Sequence, residues 1–268
     1  RGGAVYVSVG LGDSGAGGEL LMSGGATIDS GTSGGRVSVV TGLGVHTSGA
    51  LLLHTANAGI SGVSGQLVLS TGTASKGNSG ALYIGSGSAS SGRGGAVYVS
   101  VGSGSSGAGG ELVLSAGTSS DKAGGRLSVM SGESVSSTSG ALLLRTASSP
   151  ESGDLILSTG VATSGPSGAL LIGSGGATDG ASGGVKIAVG SGDTGAGGNL
   201  VLSSGETTTS NGFVGGSVTM TTGYSEFTSS GPMTLYTSNA GISGVSGQLV
   251  LSTGTASQGN SGALYIGS

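Results

Sequence analysis

Apolar and outward positions alternate along this chain in short bursts. Val5, Val7 and Val9 fall on one side with Tyr6 and Ser8 between them, and Leu82 and Ile84 flank Tyr83 in the same way. A two-residue period sets successive side chains on opposite faces of an extended backbone, and Val, Leu, Ile and Tyr suit a pleated, half-buried surface. Each burst opens on a glycine and runs out into a Gly/Ser/Thr/Ala stretch, as strands bounded by turns do. No segment sustains a 3.6-residue apolar period with caps, so essentially no helix is predicted.

The bursts form a tandem array. Anchor glycines stand at Gly3, Gly18, Gly35, Gly49, Gly65, Gly80, Gly95, Gly110, Gly125, Gly140, Gly153, Gly168, Gly183, Gly198, Gly216, Gly231, Gly247 and Gly262, and eleven of the seventeen intervals equal the one from Gly3 to Gly18. A longer period of about 90 residues, six repeats, is laid over the first. The segment Arg1 to Gly10 recurs unchanged at Arg93 to Gly102, and Asn57 to Ser86 recurs at Asn239 to Ser268 with only Lys76 replaced, by Gln258. The whole chain, 1–268, is therefore expected to be one continuous array, a fragment of a longer protein, with super-repeats of about 1–93, 94–182 and 183–268. Such duplication does not assemble the unlike residues that an active site needs at one place.

Repeats this small cannot bury an apolar face alone and must stack. The predicted fold is all-β: a β-solenoid, or parallel β-helix, of about eighteen Gly-bounded strands. A compact coil of about 15 residues is favoured over coils of about 30 or about 45 residues. The small second half of each repeat would then form the opposite wall, through Ala26, Ile28, Val45, Ala74, Ala89, Val135 and Ala162. Stacking would also set Glu19 beside Arg36 and Glu111 beside Arg126. An antiparallel meander is the alternative that the same pattern permits.

With the flanking aliphatics turned inward, the middle position of each strand points out. Along the chain it reads Tyr6, Leu21, Ser38, Leu52, Val68, Tyr83, Tyr98, Val113, Ser128, Leu143, Ile156, Leu171, Lys186, Val201, Thr219, Thr234, Val250 and Tyr265. Thirteen members are apolar or aromatic. A contiguous apolar stripe of that extent exceeds what a soluble monomer usually tolerates, which marks an interaction surface. The expected partners are copies of the chain or related repeat chains, joined laterally into a fibre or sheath; the competing arrangements cover this stripe with the chain's own loops or reverse the two faces.

Composition narrows the function classes. Of 268 residues, 64 are glycine and 7% are charged, yet 35% are hydrophobic. Disordered segments usually carry fewer apolar residues and more charge. Glycine does not recur every third residue and there are three prolines, which excludes collagen. The net charge of −4 comes from scattered acids and bases, so neither a phosphate backbone nor an anionic lipid surface finds a basic patch. No apolar run approaches the length of a membrane span, and the absence of cysteine removes disulfides and thiolate metal sites.

Chemical motifs add little. Gly10, Gly12 and Gly15 match the dinucleotide pattern GxGxxG, as do Gly102, Gly104, Gly107 and Gly190, Gly192, Gly195, but another strand follows where a helix must aim its N-terminus at pyrophosphate. Asp13 and Asp193 faintly resemble calcium-binding rolls, although the middle copy has Ser105 where an acid is required. His46 and His54 are the only histidines, and the twelve acids are dispersed, so no catalytic, cofactor or metal site is predicted. Thr71 with Thr73 and Thr253 with Thr255 give a local Thr-x-Thr pattern, a remote ice-binding alternative. Tyr6, Tyr83, Tyr98 and Tyr265 suit stacking on sugars, which makes a glycan-binding or adhesive module the main competitor. There is no Asn-x-Ser/Thr sequon, while Ser and Thr would accept O-linked sugars.

The phrases SGALYIGSG, RGGAVYVSVGSG, SGAGGELVLSAG and NAGISGVSGQLVLSTGTAS resemble long Gly/Ser-rich tandem-repeat extracellular proteins of diatoms, brown algae and related stramenopile algae. The resemblance runs through the whole chain and implies a secreted, cell-surface or wall-associated location, with flagellar hairs, filaments and cell coverings as candidates. It implies no catalytic or binding residue. Viral or bacterial fibre proteins are an alternative origin.

Overall fold

A computed structural model describes residues 2–208 and 213–267. Among the described residues there is no helix and no strand. The structure divides into two units, Arg1–Met130 and Ser131–Ser268, and the division falls inside the second expected super-repeat. Each unit is a succession of unbent aliphatic segments alternating with closed loops.

The loops are where local structure is made. At almost every junction the anchor glycine comes back against a residue some nine positions before it, so the chain pinches into a neck and then departs. In the neck before Gly125, a Cβ on Gly125 would meet Ala116 and Gly117, while one on Gly124 would meet only the Gly117 carbonyl oxygen. Partner numbers thus fall as residue numbers rise, which is the sense of a chain reversal. Glycine is required at the tightest necks: a Cβ on Gly35 would lie 2.7 Å from the Gly25 amide nitrogen.

The necks fall into kinds, and the kinds recur every six repeats. The first of each set is closed by a valine, with a Cβ on Gly18, Gly110 or Gly198 falling 2.5, 2.6 or 2.8 Å from a methyl of Val9, Val101 or Val189. The next two are closed by backbone hydrogen bonds. Gly35, Gly49, Gly125, Gly140, Gly216 and Gly231 donate to the carbonyls of Gly25, Gly42, Gly117, Gly132, Gly205 and Gly223, at 2.7 to 3.0 Å. Threonine methyls then close the necks at Gly65 and Gly80, at Gly168, and at Gly247 and Gly262, while Ser86 and Ser174 face Gly95 and Gly183. Gly153, which follows the shortest repeat, would meet nothing within 4 Å.

Loop tips follow the same division. Among the described residues nine of the ten positive-φ glycines, Gly15, Gly62, Gly77 and Gly107 included, turn loops whose necks lack the backbone hydrogen bond; Gly31 is the exception. These φ values run from 84° to 131°. They are open to glycine and strained for any side chain. The tips beneath several hydrogen-bonded necks turn instead on hydroxyls: Lys122, Ser137 and Thr228 donate their amides to the Oγ of Ser119, Ser134 and Ser225 at 3.0, 3.0 and 3.1 Å. A serine accepting from a nearby backbone amide is the usual alternative to a left-handed residue for steering a turn.

The predicted β-solenoid is therefore overturned. No ladder joins one repeat to the next among the described residues, in any of the three coil sizes, and the pairing of Glu19 with Arg36 and Glu111 with Arg126 has no rung to rest on. The reason lies in the second half of the repeat. The stretch assigned to the opposite wall instead forms the loop and its tip, where Ile28, Val45 and Val135 stand 107%, 97% and 101% exposed. What remains in each repeat is a run of some three aliphatic positions, too short to enclose a core. The residues that would pass to the next rung are used in closing the loop on its own repeat.

Candidate functional site

No side chain among the described residues is buried, and Thr41, Gly44, Thr55, Thr222 and Ser225 alone are half-buried. The chain, of 24.6 kDa, presents 26572 Å2 of accessible surface. A folded monomer of this mass presents roughly 10000 Å2, and the corresponding unfolded chain roughly 36000 Å2. Most apolar surface is thus still open to solvent, and its arrangement is regular.

From the second repeat onward, the first aliphatic of each segment, such as Leu20, Leu67 or Leu112, is 51–59% exposed. The middle residues Tyr6, Leu21, Leu52, Val68, Tyr83, Tyr98, Val113, Leu143, Ile156, Leu171, Val201, Val250 and Tyr265 are 67–92% exposed. The third aliphatic, which shares the first one's side of the alternation, is 56–84% exposed and overlaps the middle residues, so the middle position is set apart from the first alone. In the Arg1–Met130 unit seven of the nine middle positions are apolar or aromatic, with Ser38 and Ser128 interrupting; in the Ser131–Ser268 unit Lys186, Thr219 and Thr234 interrupt.

The valine necks were not singled out from the sequence, although a signal was there. Val9, Val101 and Val189 extend the alternation by one more apolar residue than other repeats carry. They are the least exposed of the large hydrophobics, at 45–47%.

The chemical motifs come out as parts of loops. All three GxGxxG matches form the loop of a valine neck, with Gly15, Gly107 and Gly195 in positive φ, and no helix follows. Asp13 and Asp193 lie in exposed bends, where Thr194 Oγ1 stands 3.5 Å from Asp193 Oδ1. Nδ1 of His54 lies 3.3 Å from the carbonyl oxygen of the adjacent Thr55. Thr71 serves as a neck residue against Gly80. Among the described residues no three His, Cys, Asp or Glu side chains are grouped to hold a metal ion, and no pocket is formed. No described helix is long and apolar enough to cross a membrane. Compared with protein-family models, with curated proteins and with solved structures, the chain matches none.

Proposed function

We propose that this chain is a structural subunit of an extracellular fibre, filament or cell-surface appendage, and that it self-associates through the face carried by the middle residues of its repeat. The observation that carries the reading is that thirteen of the eighteen middle positions present an exposed apolar or aromatic side chain, among described residues that bury none. Ordering a residue's backbone costs roughly 1–2 kcal/mol, and burial of apolar surface is the main term that offsets it. A chain that leaves this surface open gains that stability from surfaces outside itself, and a repeating stripe is best matched by another repeating stripe. The Gly/Ser-rich phrases that resemble algal extracellular repeat proteins favour a cell-surface location. Load would pass through contacts between chains and through the necks, since the described residues form no continuous backbone ladder.

The test is electron microscopy and sedimentation of purified chain across a concentration series. Filaments above a critical concentration are expected. A chain that stays monomeric at all concentrations refutes the proposal.

A second reading has one observation in its favour. Tyr6, Tyr83, Tyr98 and Tyr265 stand 91–92% exposed at equivalent positions. Side chains that stack on sugar rings must be open in this way. Binding of soluble monomers on a glycan array would support an adhesive module over a fibre subunit.

A further inference from the structure

The charges beside the apolar stripe carry information about how two copies meet. The residue directly after each anchor glycine is two positions before the middle residue, so by alternation it shares that residue's face. In most repeats it is Ala, Gln or another uncharged residue. The exceptions in the Arg1–Met130 unit are Glu19 and Arg36 in consecutive repeats, and Glu111 and Arg126, the same pair one super-repeat later. All four are exposed. In this unit each acid thus stands one repeat before a base, on the same face, twice, whereas Asp154 at the same position of the Ser131–Ser268 unit is followed by Ala169.

We infer that the partner on this face is a second copy of the chain, lying parallel and displaced by one repeat, so that Glu19 and Glu111 of one copy meet Arg36 and Arg126 of the other. This rests on the proposed self-association and adds its register. Two parallel copies without displacement would set Glu19 against Glu19 and Arg36 against Arg36, and Lys186 against Lys186. A displacement of six repeats would set Glu19 against Glu111 and Arg36 against Arg126. Like charges directly opposed are unfavourable and opposite charges favourable, so both alternatives are disfavoured where the single-repeat displacement is not. With the single-repeat displacement no two like charges on this face of the Arg1–Met130 unit are opposed.

Two variants test the register. One carries Glu19→Arg and Glu111→Arg, the other Arg36→Glu and Arg126→Glu. Each alone turns both pairs into like-charge pairs, and the concentration at which half the chain pellets at low ionic strength should rise roughly tenfold. The first variant exchanges two acids for two bases, which raises the net charge of −4 by four, to zero. Neutrality by itself favours precipitation, so a loss of assembly in this variant runs against the net-charge trend. Mixed in equal amounts, the variants restore Arg–Glu pairs only between unlike chains, and the mixture should pellet as the parent does. Three results overturn the inference. If each variant alone pellets like the parent, opposed charges do not set the register. If both are impaired and the mixture is not rescued, the pairs form within one chain. If the parent itself never pellets, self-association fails and the register with it.

Discussion

Substituting Leu21, Val68 and Val113 by Lys removes three middle residues from the first half of the stripe. They are 77%, 71% and 67% exposed, so most of each side chain is available to be covered by a partner. Full burial of a Leu or Val side chain contributes about 1.5–3 kcal/mol, and these fractions leave about 1–2 kcal/mol for each. Together the three account for about 3–6 kcal/mol per interface, and each increment of about 1.4 kcal/mol is a tenfold change in an equilibrium constant. The concentration needed for assembly should therefore rise by about two to four orders of magnitude, read as the pelleted fraction across a dilution series. A control with Ser14→Lys, Ser61→Lys and Ser106→Lys adds the same charge at exposed loop tips and should assemble like the parent. An unchanged assembly curve for the L21K/V68K/V113K chain refutes the use of this face. Equal loss in the control would refute the reasoning too, by showing that net charge and not the stripe governs association.

The necks and tips make their own predictions. A Gly35→Ala Cβ would lie 2.7 Å from the Gly25 nitrogen, so amide exchange at residue 35 should lose the protection of its 2.7 Å bond to Gly25, whereas Gly2→Ala, in open space, should alter no exchange rate. Replacing Ser119, Ser134 or Ser225 by Ala removes the acceptor for Lys122, Ser137 or Thr228. At these tips, exposed at Ser119 and Ser134 and half-exposed at Ser225, well under the roughly 1 kcal/mol of an ordinary hydrogen bond should be lost, seen as an exchange rate raised about twofold at that one amide. Gly77→Ala forces a side chain to a φ of +100°. That costs about 1–3 kcal/mol locally, so proteolytic nicking in the loop 72–79 should increase. Gly72→Ala, with ordinary φ and no neighbour, should leave the nicking unchanged.

The repeat itself was legible in the sequence, and the structure adds physical detail to it. The anchor glycines mark where the chain returns on itself, and the six-repeat period reappears as the order of valine, hydrogen-bonded, threonine and serine necks. The ladder was not legible, because alternation specifies two faces but says nothing about what lies beside them. Val5, Val7 and Val9 read the same whether a neighbouring strand is present or absent. The small residues around Ile28 and Val135 were equally ambiguous, since Gly, Ser, Ala and Thr serve a tight wall or an open loop. Loop closure decides between them: bringing the ends of one short stretch together is entropically cheaper than bringing repeats together over long separations. Of the face, the middle positions could be read directly from the alternation. The role of Val9, Val101 and Val189 instead depends on a glycine well downstream and emerges only once the loop is closed.

A neck held by one backbone bond also conceals length. Between Gly117 and Gly125 the chain departs and returns to within 2.8 Å of its starting point. Pulled straight, the same stretch would span about 27 Å at roughly 3.4 Å for each residue. Six such bonds occur among the described residues, two in succession in each super-repeat, and the amides they hold face water, so each yields at modest tension and re-forms on release. Stretching such a chain would first draw out these folds in small reversible steps, before any load reached the contacts between neighbouring copies.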